Sequence, residues 1–251
     1  VNYENPPPGQ WRSTVSFVTD AGRNADGSAN RGGNFWLYSD GIACDPKYFP
    51  RSLIADRIYY NPYDQSPGYA SQCPAPFPTF NDQPTTTNAI TFVINSGRLM
   101  VNYIGHGALQ YWADGILFGS YPRNDLPSLT NGSRTPVMLE LTCNTGYFIY
   151  PHSLAQSFAK LNVNLSGNGA VASWAAVGLG FVSGHDLLEK GFFNAVMNQN
   201  TRQLGPATTA GKANLFASGT NLDLIDTTIL FGDPASRIPL QMRTFLPLVN
   251  R

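Results

Sequence analysis

A histidine and a cysteine each stand just past the end of an apolar stretch. The first stretch reads Leu99-Met100-Val101-Asn102-Tyr103-Ile104-Gly105-His106-Gly107, the second Val137-Met138-Leu139-Glu140-Leu141-Thr142-Cys143-Asn144-Thr145-Gly146. A thiolate is a strong nucleophile, and an imidazole beside it takes the thiol proton and returns it to a leaving amine. Gly105 and Gly107 let the backbone turn sharply and approach a substrate without a Cβ. The backbone N–H groups of Gly107 and Cys143 then make a candidate oxyanion hole. On spacing alone each residue also has a plainer reading. His106 fits a hydrogen-bonded structural histidine, and Cys143 a small core hydrophobe.

The flanking sequence supplies elements able to bring the two together. Residues 13–19, 57–60, 99–104, 136–142, 169–176 and 225–231 read as strands, the last closed by Gly232-Asp233-Pro234. Residues 35–38 read as a short helix. Helices are expected over 86–96, with Gly97 as C-cap, and over 154–161, with Ser153 as N-cap. Two more are expected over 185–197 and 208–217. Residues 20–34 and the Pro-rich 61–84 read as loops. Helices alternating with short apolar strands imply an α/β domain with a mostly parallel sheet covered on both faces. In such a sheet, residues past the strand ends gather along one edge. Neighbouring strands lie about 4.8 Å apart, so His106 and Cys143 can face each other.

The totals exclude several function classes. The 251 residues suffice for one large domain over 1–251, and no linker-like stretch divides them. With 16 basic and 16 acidic residues the chain is neutral, which argues against a nucleic-acid partner. No apolar run is long enough to insert in a membrane. Charged residues are only 13%, with polar uncharged residues in their place, which favours an extracellular protein. Of the three cysteines, Cys44 and Cys73 lie in loop sequence and form the expected disulfide, with Cys143 left free. The abrupt start at Val1-Asn2-Tyr3 suggests a piece excised from a longer precursor.

Val101-Asn102-Tyr103-Ile104-Gly105-His106-Gly107, followed by Trp112, resembles the signature of the gingipain-type cysteine peptidases. Leu141-Thr142-Cys143-Asn144-Thr145-Gly146-Tyr147-Phe148 resembles that family's second signature. Gly169-Ala170-Val171-Ala172, Phe231-Gly232-Asp233-Pro234, Tyr3-Glu4 and Trp11 add weaker matches in the same order. The resemblance implies a caspase-like three-layer sandwich and secretion to the outside or surface of a bacterial-type cell. It also implies the company of other domains from one precursor, and endopeptidase action on peptide or protein substrates. His106 becomes the general acid/base and Cys143 the nucleophile, with no cofactor needed for catalysis. A structural calcium is implied too, with Asp20, Asn24 and Asp26 as candidate ligands. Arginine-specific relatives place an aspartate at the base of the S1 pocket, where this chain has Asn30, and a tryptophan near Phe181 or Val182. These three become the specificity residues, and preference for Arg or Lys at P1 is not expected. The acid that orients the histidine is expected upstream of Val1.

Two other functions fit the same fold. One is a secretion-linked transpeptidase using the same pair. The other is a non-catalytic binding domain, against which the intact pair argues. Glu140 inside an apolar strand must be paired or protonated and reads as structural. His152 and His185 read as helix caps or flanks, and Trp174 as core. Asn131-Gly132-Ser133 and Asn164-Leu165-Ser166 match the glycosylation triplet.

Overall fold

The computed structural model describes residues 3–4, 8–22, 24, 26, 28–30, 32–61, 73, 80–113, 117–164 and 167–242. In chain order the elements are β1 (Thr14–Thr19), α1 (Phe35–Ala43), β2 (Ile54–Tyr59), α2 (Gln83–Ser96) and β3 (Met100–Ile104). Three two-residue strands follow: β4 (Gly107–Ala108), β5 (Tyr111–Trp112) and β6 (Phe118–Gly119). Then come β7 (Val137–Leu141), α3 (Leu154–Asn164), β8 (Ala172–Ala176), α4 (Val182–Met197), α5 (Leu204–Ser218), α6 (Asp223–Thr227) and β9 (Thr228–Phe231).

Among the described residues the main sheet runs β2-β1-β3-β7-β8-β9, and only β9 is antiparallel. Side chains alternate across it, so each strand feeds two cores. Val15, Phe17, Met100, Leu139 and Trp174 point to one, where Phe192, Phe193 and Val196 of α4 and Leu215 of α5 meet them. Val18, Val101, Tyr103 and Met138 point to the other, against Ile90, Val93 and Ile94 of α2 and Phe158 of α3. This is the expected three-layer α/β sandwich, and both strands that carry the candidate pair are fully buried.

Local chemistry explains the helix limits. The Asp82 carboxylate accepts from the Thr85 N–H at 2.8 Å, and Pro84 opens the first turn of α2. Gly97 ends that helix at φ 84°, a value costly for any residue with a Cβ. Ser153 does not cap α3, because its hydroxyl is buried with no partner among the described residues. The expected strand over 225–231 is shorter. Leu224 is buried and Ile225 packs against the core from the short helix α6, so the apolar run changes from helix to strand at Thr228.

Cys44 and Cys73 are joined as a disulfide, with Cα atoms 4.9 Å apart, and Cys143 is free. Trp174 is fully buried. Asn131 is buried, with both ends of its amide bonded to the Gly169 backbone at 2.8 and 2.9 Å, so that triplet is no exposed glycosylation acceptor. Leu165 and Ser166 of the second triplet, like Arg31 and most of 61–79, lie outside the described residues. No helix among the described residues is long and apolar enough to cross a membrane.

Candidate active site

The parallel register sets the site. Ile104 at the end of β3 pairs with Leu141 at the end of β7. His106 and Cys143 each follow two residues later, so they leave the same sheet edge side by side. Gly107 shows how close the two loops run. A Cβ there would lie 2.8 Å from Thr142 Cγ2 and 3.0 Å from the Cys143 carbonyl oxygen. The Thr142 hydroxyl ties the loops together by donating to the Gly105 carbonyl at 2.7 Å.

Each loop is braced from below. After β3, the Tyr103 hydroxyl donates to the His106 carbonyl at 2.6 Å and accepts from the Ala113 N–H at 2.9 Å. The Tyr103 ring stacks on Trp112, centroids 4.4 Å apart, and Trp112 Nε1 donates to Glu140 at 3.2 Å. Ser173 holds the other oxygen of Glu140. Burial raises this carboxyl to about 7, opposed by the hydrogen bonds from Ser173 and Trp112. Glu140 is thus the structural group expected of it, a buried post beneath the small sheet β4-β5-β6. After β7, Asn144 takes φ 58°, a left-handed turn that asparagine tolerates, and its N–H donates to the Gly178 carbonyl. The Cys143 N–H has no protein acceptor among the described residues.

His106 is held by residues of the loop after β1. The Asp20 carboxylate accepts from the His106 backbone N–H at 3.0 Å and from the Ala21 N–H at 2.6 Å. Asn30, aligned above with a specificity aspartate, sits at the histidine ring, its Oδ1 2.9 Å from Nε2. That oxygen also accepts from the Gly32 N–H at 2.8 Å, while Nδ2 donates to the Ala21 carbonyl at 3.2 Å. These two bonds fix which end of the amide faces the ring. Nε2 therefore carries the proton and Nδ1 is the basic nitrogen. Phe35 meets the ring edge-on, 5.2 Å between centroids.

No hydrogen bond joins His106 to Cys143 among the described contacts, and the sulfur rests instead on Gly180. Its N–H lies 3.4 Å and its carbonyl oxygen 3.6 Å from Sγ. A cleft of about 270 Å³ holds both members of the pair. Gly32, Phe35, Leu141, Phe181, Val182 and His185 complete much of its wall, so Phe181 and Val182 do border the site. Phe181 is 76% exposed at the rim.

The calcium candidates Asp20, Asn24 and Asp26 are each hydrogen-bonded within the protein. Asp20 is buried and engaged by two backbone amides. Asp26 accepts from both the N–H and the hydroxyl of Ser28, and the Asn24 amide donates to Ser28 and Ala29.

The model of the family described as peptidase family C25 matches residues 1–239. The chain belongs to peptidase family C25. Gingipain R2 and gingipain R1 of Porphyromonas gingivalis are each 26% identical over 180 residues, which is 66% of this chain and 22% and 17% of theirs. The crystal structure of the Arg-specific cysteine proteinase gingipain R (RGPB) superposes with a TM-score of 0.67 at 18% identity, covering 91% of this chain and 48% of that one. The complex of the Porphyromonas gingivalis RgpB pro- and mature domains gives 0.64 at 17% identity, over 93% of this chain and 49% of the other. The C25 domain thus spans about a fifth of those curated relatives and about half of the solved chains, and it shares their caspase-like fold.

Two residues stand at the cleft in a way that the sequence does not signal. His185, a helix cap or flank by sequence, lies inside the first turns of α4 and on the cleft wall. The resemblance points Asn30 to the substrate pocket, and the folded loop also brings its amide to the histidine.

Proposed function

We propose that this chain is the catalytic unit of a secreted cysteine endopeptidase that uses His106 and Cys143 and does not prefer arginine or lysine at P1. The observation that carries the reading is the shared exit of the two residues from paired strands into one cleft. In the reaction, Nδ1 of His106 takes the Cys143 proton as the sulfur attacks the scissile carbonyl carbon. The carbon–oxygen π electrons move onto oxygen, which accepts hydrogen bonds from the Gly107 and Cys143 N–H groups. The intermediate collapses, the carbon–nitrogen bond breaks, and the imidazolium protonates the departing amine. Water, losing its proton to His106, then attacks the thioester and releases the acid and the thiol.

Asn30 accepts from Nε2–H throughout and supports the tautomer this sequence needs. A carboxylate to balance a buried guanidinium or ammonium is not found among the described residues lining the cleft. An unpaired buried charge is costly, which supports an uncharged P1. The disulfide supports an oxidising compartment, and the coverage of its relatives supports further domains in the native precursor. Profiling on a peptide library is the test. Cleavage that Cys143→Ala and His106→Ala each abolish, in folded protein, is expected. A hundredfold preference in kcat/KM for arginine over every neutral P1 residue would refute the specificity, and full activity in Cys143→Ala the mechanism.

A further inference from the structure

His185 is 2% exposed, and neither ring nitrogen has a hydrogen-bond partner among the described residues. It lies on the wall of the cleft that contains Cys143. Its position relative to the nucleophile is close. A Cβ on Gly180 would fall 2.7 Å from His185 Nε2, so the ring lies directly beneath the Gly180 backbone. That same backbone touches Cys143 Sγ from its N–H at 3.4 Å and its carbonyl at 3.6 Å. Burial drives the imidazole down to about 4, against the pull of Asp223, so it is neutral at neutral pH. A buried polar group without a partner costs about 1–3 kcal/mol, and such a group in a native fold calls for an explanation. A bound ligand supplies one.

We propose that His185 is the specificity residue of the S1 pocket and that it selects a P1 side chain ending in an uncharged carboxamide, asparagine or glutamine. This rests on the peptidase reading above. A neutral imidazole presents either an N–H donor or a bare nitrogen acceptor to the pocket, according to tautomer. A carboxamide carries the complement of each and turns to offer it. An aliphatic P1 group leaves the imidazole unpaired and desolvated. A carboxylate or a cation has no opposite charge among the described residues of the wall. Phe35, Leu141 and Val182 make the rest of the pocket apolar, which suits the methylenes that precede the amide.

The test uses the whole chain and fluorogenic peptides that differ only at P1, carrying Gln, Asn, Leu, Met, Glu or Arg. The wild type is expected to favour Gln or Asn over Leu and Met by at least tenfold in kcat/KM. In His185→Phe that ratio should fall at least tenfold, while His185→Gln, which keeps a donor and an acceptor, should retain more of it. Circular dichroism and covalent labelling of Cys143 check that each variant is folded and reactive. Cys143-dependent cleavage with no carboxamide preference, or a preference unchanged in His185→Phe, overturns the assignment of His185 and leaves the peptidase reading standing. Absence of Cys143-dependent cleavage of any peptide overturns both.

Discussion

Replacing Glu140 with glutamine should remove a defined pH dependence from the stability of this C25 domain. The carboxyl is fully buried, and burial lifts it from 4.5 to about 7. Between those values the folded chain keeps a proton that the unfolded chain has lost. Stability therefore falls as pH rises through that window, and the loss is complete above 7. At 1.36 kcal/mol per pH unit the gap corresponds to about 3 kcal/mol. Glutamine keeps the shape, an acceptor for Trp112 Nε1 and a donor for the Ser173 hydroxyl. Urea unfolding of both proteins at pH 5 and pH 8 measures the effect. The wild type should lose about 2.5 kcal/mol more than Glu140→Gln between the two conditions, because part of the loss is already present at pH 5 and other titrating groups cancel in the difference. Equal losses would refute the claim that Glu140 is buried and protonated, as would a variant less stable than wild type at pH 8.

Three further outcomes follow from the geometry. Asn30→Ala should lower kcat about a hundredfold, at the low end of what positioned general acid–base catalysis supplies, with KM little changed and a displaced pH profile. Asn30→Asp should recover part of the loss, and a variant with wild-type kcat would remove Asn30 from the histidine's support. The Cys44–Cys73 bridge closes a separation of 29 residues, so the double Cys44→Ala, Cys73→Ala variant should lose about 3–4 kcal/mol, and an unchanged denaturation midpoint would contradict this. Gly107→Ala should cost at least tenfold in kcat/KM because its methyl group would run into Thr142 and the Cys143 carbonyl, and undiminished turnover would show that the two loops are looser than described.

The sequence announced the sheet through its uninterrupted apolar strands, and the strand-end positions of His106 and Cys143 through the register those strands adopt. Asn102 and Glu140 interrupt the runs, yet each meets a partner across a different layer. The Asn102 amide donates to buried Glu189 of α4 at 2.8 Å, and Glu140 meets Trp112 on the opposite face. The small sheet β4-β5-β6 was not legible, because two-residue strands carry no alternation to detect. Its stability comes from Trp112, which is buried among Tyr103, Phe118 and Phe158. Helix α6 was hidden for a related reason, since Leu224 and Ile225 continue directly into the apolar strand that follows. The roles of Asn30 and His185 depend on contacts 76 residues distant in one case and on a glycine backbone in the other. Neither contact has a local pattern to betray it. A neutral histidine in the first turns of a helix reads as a cap until the cleft beside it is seen.

Reaction with a peptide acyloxymethyl ketone, followed by intact-mass measurement and peptide mapping, tests the central claim most directly. The account predicts one adduct per chain, on Cys143, formed rapidly in wild type and lost or slowed at least a hundredfold in folded His106→Ala. An adduct at another residue, or a Cys143 that reacts equally fast without His106, would contradict it.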